Sequence, residues 1–350
     1  MDTLHNLQQE AGATFETVIG AKVATSFRND AQAIQAAHTG VALCDRTHWG
    51  RLQVSDQDRL IFLHNQSTND FKKLLPGQGC DTVFVTSTAR TLDLASAYVT
   101  QETVILLVSP NRRQKLLQWL DRYIFFGDKV QVTDITDTTA AFSLLGPESK
   151  NLLKKLGVTE IPSTYGSHIL INISGMEVRV AVGSGLATKG YTLITNADQA
   201  AALWHNLEFA GAVPIGEQCW EQLRIEQGRP KPDYELTEDY NPLEAGLWQA
   251  ISLNKGCYIG QETIARLNTY QGVKQQLWGV KLTAPVEAGT TVKFADNKVG
   301  NLTSYTKTAN GFWGLAYVKT KVGGAGLKVQ VGETEGELVD LPFLRREPQN

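Results

Sequence analysis

The sequence predicts an α+β protein with a small β-barrel at its C-terminal end. Three observations predict it. The chain has 350 residues, more than the ~250–300 at which one hydrophobic core stops growing, so several packing units are expected. Strand-like and helix-like segments intermix without the β-α-β rhythm of a parallel doubly wound sheet. Near Val273 the texture then changes to short strands broken by Gly and Asp-Asn turns, with no helical period.

The elements follow in order. Residues 11–35 are Ala-rich and carry no clear period. Gly40 to Asp45 leads into Gly50–Ser55, whose alternation suits a strand. Ser55-Asp56-Gln57-Asp58 reads as a helix start, with Leu60, Ile61, Leu63 and His64 inside the helix. Thr82–Thr86, Ser96–Thr100 and Thr103–Val108 are β-branched runs joined by short polar connections, as antiparallel strands are. Asn111 to Tyr123 reads as a helix with Leu116, Leu117, Trp119 and Leu120 on its apolar face. Thr139–Leu145 is a strand ended by Gly146-Pro147, and a helix begins near Glu148. His168–Ile173 and Glu177–Val182 form a hairpin around Ser174-Gly175. Residues 197–210 and 217–226 are helical. In the last part, Leu277–Leu282, Thr291–Phe294, Gly311–Val318 and Leu327–Val331 are the expected barrel strands.

Composition narrows the function. A net charge of -3 supplies no basic field for tracking a nucleic-acid backbone, which argues against direct nucleic-acid binding. No run approaches the ~20 apolar residues of a membrane span, and Met1 to Asn6 lacks the pattern of a secretory signal. A cytoplasmic protein is expected. The four cysteines and six histidines are scattered without C-x-x-C or H-E-x-x-H spacing, so no metal site is expected.

The densest cluster of unusual residues runs from Leu253 to Arg266. Two glycines bracket Cys257 and Tyr258. Gln261 to Leu267 reads as a helix with Glu262 in its first turn, where the macrodipole favours an anion. Cys257 would stand just ahead of that helix with the Lys255 ammonium two residues away, and both features raise the thiolate fraction of a cysteine. The plainer alternative is that Cys257 is a small packing residue, as most free cysteines are.

Lys255-Gly256-Cys257-Tyr258-Ile259-Gly260-Gln261-Glu262, followed by Ala265-Arg266, resembles the K-G-C-Y-x-G-Q-E signature of the YgfZ family, folate-binding relatives of the glycine-cleavage T-protein (aminomethyltransferase). Leu223-Arg224-Ile225-Glu226-Gln227-Gly228 resembles the family's L-R-x-E-x-G, and Asn241 to Leu247 its x-P-x-E-A-G-L. Gly40–Val54, Thr68-Asn69-Asp70, Val299–Ser304 and Gly314–Val318 are weaker echoes in the same order.

The resemblance implies a three-domain ring: residues 1–52 plus 141–240 as a discontinuous folate-binding domain, 53–140 plus 241–274 as a second α+β domain carrying the signature, and 275–350 as the barrel. It also implies tetrahydrofolate or a derivative as cofactor, and iron–sulfur client enzymes or cluster-assembly proteins, a tRNA-modifying enzyme among them, as partners. Cys257 with Lys255 is then the expected functional pair. Arg224, Glu226, Tyr258, Gln261, Glu262 and Asp93 are the expected folate contacts, because a pterin's amide and amine meet a carboxylate and its glutamate tail meets a cation.

T-proteins carry a G-x-x-D-D segment and a later T-G-E-x-G. Here Ala89 to Leu94 keeps at most Asp93, and Thr188 replaces the glutamate of the later segment. These departures argue against an aminomethyltransferase, which is the alternative reading together with a folate-gated docking module without chemistry.

Overall fold

The computed structural model describes residues 2–347. The chain divides into two compact units. Unit one comprises Met1–Phe62, Phe71–Asp81 and Ala95–Trp220; unit two comprises Leu63–Asp70, Thr82–Leu94 and Glu221–Asn350.

In chain order the first elements are α1 (Asp2–Glu10), β1 (Thr14–Val18), β2 (Ala21–Ser26), α2 (Asp30–Thr39), β3 (Ala42–Asp45), β4 (Gly50–Ser55) and α3 (Arg59–Gln66). There follow β5 (Gly79–Val85), β6 (Thr91–Val99), β7 (Thr103–Val108), α4 (Arg113–Asp121), β8 (Gln131–Asp134), β9 (Thr139–Leu145) and α5 (Ser149–Lys155). Next come β10 (His168–Ile173), β11 (Met176–Val182), β12 (Gly190–Asn196), α6 (Ala200–Phe209), β13 (Val213–Ile215) and α7 (Glu217–Gln227). The last are α8 (Gln261–Thr269), β14 (Gln275–Leu282), β15 (Thr291–Phe294), β16 (Asn297–Thr308), β17 (Gly311–Lys319), β18 (Lys328–Val331) and β19 (Thr334–Val339).

Unit one contains a six-stranded sheet in the order β10-β11-β12-β9-β3-β13. Its ladders are antiparallel apart from β3–β13. Antiparallel pairing in every other ladder is why the expected α+β class holds and a doubly wound sheet does not form. The turn between β10 and β11 is Ser174-Gly175, both at positive φ, as a tight type I′ hairpin requires. Val178, Val180, Phe142 and Leu193 project from this sheet onto Leu203, Trp204 and Leu207 of α6 to form the main core. Trp204 is fully buried, with Phe142 at 5.5 Å and Phe27 at 6.0 Å between ring centroids. The second sheet runs β5-β6-β7-β4-β8.

Unit two ends in a closed barrel ordered β14-β17-β16-β15-β18-β19. Closure removes the exposed edges that short strands otherwise leave. The barrel interior is filled by Val280, Val292, Leu302, Val318, Val331 and Leu338. Two of its strands, β16 and β19, are absent from the sequence-based strand pattern above, although Val299–Ser304 lies within β16.

Replacing Trp204 with Ala should cost ~3–5 kcal/mol, because the aromatic contacts are lost and the cavity collapses only in part. Urea unfolding of the full chain checks this; a loss below about 1 kcal/mol would mean that α6 does not anchor the core.

Candidate functional site

The signature loop lies in unit two, seated on the C-terminal turn of α3. A helix leaves its last carbonyls without intrahelical partners, and its C-terminus carries partial negative charge. Here a loop nearly two hundred residues away in sequence supplies the missing donors. The Lys255 ammonium bonds the carbonyl oxygens of His64, Ser67 (2.7 Å) and Asn69 (2.6 Å). The Ile259 N–H donates to Asn65 O at 3.0 Å, and the Ser252 N–H to Thr68 O at 3.0 Å. Lys255 Nζ also stands 4.5 Å from the ring centroid of Tyr258. Beneath the loop, His64 Nδ1 lies 3.0 Å from the Asp70 carboxylate. Thr68-Asn69-Asp70 and K-G-C-Y-x-G-Q-E are thus two parts of one assembly.

The loop's own residues follow. Cys257 is exposed, whereas Cys44 and Cys219 are buried, and burial pushes the Cys219 thiol up to about 12. Exposure is not what a packing cysteine shows. Lys255 is expected above as the thiol's cationic neighbour. In the structure its three N–H donors meet three carbonyl acceptors and hold the loop. Tyr258 is half-buried, and burial pushes its phenol up to about 12. Its N–H donates to Gln261 Oε1 at 3.2 Å, so the Gln261 side chain closes the turn ahead of α8. Glu262 is exposed in the first turn of that helix. Gly260 caps it with φ +81°, and a Cβ there would meet Thr86 O at 2.9 Å and Val85 Cγ2 at 3.0 Å. Gly256 has no such constraint: the nearest atom to a Cβ there is His64 Nε2 at 3.7 Å.

Arg224, on α7, is only 2% exposed. All five of its donors are spent within unit two. Nε and Nη2 form a two-point pair with Glu221 at 2.7 and 2.8 Å. Nη1 meets Arg229 O at 2.7 Å and Glu235 Oε2 at 3.1 Å, and Nη2 also meets Ser304 Oγ at 2.8 Å. Glu235 is fully buried and accepts the Thr303 and Ser304 hydroxyls, each at 2.6 Å. Lys231 Nζ adds a second cation to Glu221 at 2.7 Å. Burial alone would lower the Arg224 pKa; Glu235 and Glu221 outweigh it and raise it. For Glu221, burial acts upward, and Arg224 and Lys231 reverse it to hold the carboxyl below its usual value.

Arg224 is therefore an internal tie between α7 and barrel strand β16, with no donor left for a glutamate tail. Glu226 is half-buried, with Gln222 Nε2 3.4 Å from its carboxylate. Asp93 is fully buried on β6, its Oδ1 accepting the Leu94 N–H at 2.9 Å. The eight expected residues thus fall into three places: the Lys255–Glu262 loop, the α7 network, and β6. Sequence reasoning missed Glu235, whose only sequence mark is its acid type, and the carbonyl seat on α3, which has none.

Unit one has an open cleft of about 630 Å³, lined by Lys22, Asp45, His48, Asn111 and Arg113 among others. His48 is nearly inaccessible there and lies 3.8 Å from Glu217. Burial pushes its pKa down to about 4. Among the described residues no group of three or more His, Cys, Asp or Glu is arranged to hold a metal ion, and no helix is long and apolar enough to cross a membrane.

Mixed α+β sheets, a closed six-stranded barrel and a cysteine loop capping a helix define a class before they define a member. The GCVT N-terminal domain model matches residues 4–255, and the chain belongs to that family. It is 47% identical over 329 residues to a chloroplastic "Putative transferase" of Arabidopsis thaliana, covering 93% of this chain and 76% of that one. It is 28% identical to an aminomethyltransferase of Geobacillus kaustophilus, over 98% of both chains. The solved aminomethyltransferase T of the Bartonella henselae glycine cleavage system shares the fold, with a TM-score of 0.87 over 99% of both chains at 19% identity.

Arg224→Met should destabilise the chain by ~3–5 kcal/mol, since it leaves Glu235 buried without its cation. Glu221 has a folded pKa below its unfolded one, so the stability it contributes is full above the unfolded value of about 4.3 and is lost as pH falls through the folded value. Urea midpoints measured from pH 7 to pH 3 should accordingly fall less steeply in Arg224→Met. Parallel curves would remove the pair from the acid response.

Proposed function

We propose that the protein is a tetrahydrofolate-dependent transferase that handles a one-carbon unit, built on the aminomethyltransferase plan. The observation that carries this reading is the end-to-end likeness to aminomethyltransferases, 98% of both chains in the Geobacillus case. Bound tetrahydrofolate supplies the nitrogen that accepts or gives up the one-carbon unit. One residue has the chemistry that a reduced pterin calls for. Asp93 is a buried carboxylate, the type that takes a pterin's amide and amine together and stays ionised when so paired. By resemblance it falls in the segment that matches the G-x-x-D-D of T-proteins. The tail must find a cation other than Arg224.

A second reading, a folate-dependent accessory factor for iron–sulfur enzymes of the YgfZ kind, is favoured by one observation: the signature octapeptide is intact and its Cys257 is exposed. Under both readings the chain's residues bind and orient the folate. They part on the thiol. A transferase that works through Asp93 needs no sulfhydryl, whereas the accessory factor works through Cys257.

Calorimetry with tetrahydrofolate should show saturable binding that Asp93→Asn weakens roughly 10–100-fold, the loss of a charge-assisted pair. Absence of binding by the intact chain would end both readings. Methylene-tetrahydrofolate formation from an aminomethyl-loaded lipoyl carrier should be retained by Cys257→Ala. Should that assay stay silent while the intact chain, and not Cys257→Ala, restores iron–sulfur enzyme activity in a strain lacking its homologue, the second reading replaces the first.

A further inference from the structure

Lys255 occupies a seat with the chemistry of a monovalent cation site, and we propose that this built-in cation is the positioning element that fixes the Cys257 loop on α3. Three backbone carbonyls line the seat. His64 O, Ser67 O and Asn69 O converge on one nitrogen, the latter two at 2.7 and 2.6 Å. Such carbonyl rings are what replaces the hydration shell of K⁺ in selective sites. They converge because α3 ends at Gln66 and the chain turns there, so the carbonyls around the helix end must find donors outside the helix. The helix C-terminus adds a field that favours a positive charge. Leu63 O takes the Ser67 hydroxyl at 2.8 Å, and Asn65 O takes the Ile259 N–H. The seat on His64, Ser67 and Asn69 is left for the ammonium.

The positioning follows from connectivity. Lys255 and Ile259 are pinned to neighbouring carbonyls of one helix end, and Cys257 lies midway between them. Losing the ammonium leaves the Ile259 and Ser252 N–H bonds to hold the loop. Because the seat is oxygen-lined and ammonium-sized, a free NH₄⁺ or K⁺ ion can refill it when the side chain is cut back. A bulky cation cannot. The proposal deepens the second reading above, in which the Cys257 loop is a working part. Its test reads loop position and not folate chemistry, so either can fail without the other.

The full chain carrying Lys255→Ala is compared with the unmodified chain by hydrogen exchange at the Ile259 amide and by the rate of Cys257 alkylation, mapped by mass spectrometry. Exchange at Ile259 should be at least about tenfold faster in the variant, the smallest change expected from losing a charge-assisted bond. Ammonium or potassium chloride should restore it, and tetramethylammonium chloride at equal ionic strength should not. The unmodified chain should respond to none of the three. Unchanged exchange in Lys255→Ala would overturn the proposal, and so would loosening that all three salts relieve equally or that none relieves. Should Lys255→Ala not fold, Lys255→Gln decides: its amide can donate to only part of the seat, so partial loosening that ammonium does not deepen supports the clamp, and full protection overturns it.

Discussion

A cation removed from water must be met by acceptors or by aromatic faces, and this requirement organises both units. In unit one, Arg51 is fully buried. Its guanidinium meets Thr139 Oγ1 and the carbonyls of Thr47, Trp49, Thr136 and Thr139, five acceptors and no carboxylate. Neutral dipoles offset burial only in part, and its pKa is lowered to about 10, which still leaves it charged at neutral pH. Arg46 solves the same problem with ring faces, lying 4.0 Å from the Trp49 centroid and 4.9 Å from that of Trp220, besides Ser143 Oγ and Ser184 O. In unit two, Arg224 takes carboxylates and Lys255 takes carbonyls. Each cation draws together segments distant in sequence, because no local stretch supplies enough acceptors. The cost of breaking one is correspondingly larger than for an exposed pair.

This pattern also explains what was legible in the sequence. Strands β4 and β9 and the Ser174-Gly175 hairpin were readable because alternation, a terminating Gly-Pro and a two-residue turn are local signals. The barrel was readable as a change of texture. The N-terminal hairpin β1–β2, with Ile19-Gly20 at positive φ, was not, because Ala-rich neighbours blur its period. Strand β12 was missed for a different reason: it is buried along most of its length and shows no polar alternation.

The site divides the same way. The octapeptide was legible as a motif of side chains, and Cys257 proved exposed. The partner of Lys255 was not legible, since a backbone carbonyl looks alike at every residue. The network around Arg224 was not legible, because its visible neighbours, Glu221 and Glu226, give no hint of Glu235 eleven residues on. An arginine in a motif can serve as an internal tie or as a ligand contact, and the count of its acceptors separates the two.

The signature loop shows how such a tie serves chemistry. A glycine-bracketed segment is by itself loose, because glycine loses the most freedom on ordering. Here the two glycines are not equivalent. Gly260 is demanded by its left-handed backbone and by the close approach of Thr86 and Val85, so the loop's exit is fixed by sterics. Gly256 meets no such wall, so the loop's entry is not fixed by its own backbone. The Lys255 ammonium holds that end instead. Tyr258 contributes twice, placing its ring beside the ammonium and its N–H on Gln261. The residue between these anchored points is Cys257, the exposed cysteine. A thiol held this way has its ordering entropy met by the fold and not at the moment of reaction, which is the condition for a positioned group. The same arrangement holds whichever partner the thiol meets, because the constraint acts on the backbone and leaves the sulfur itself uncommitted.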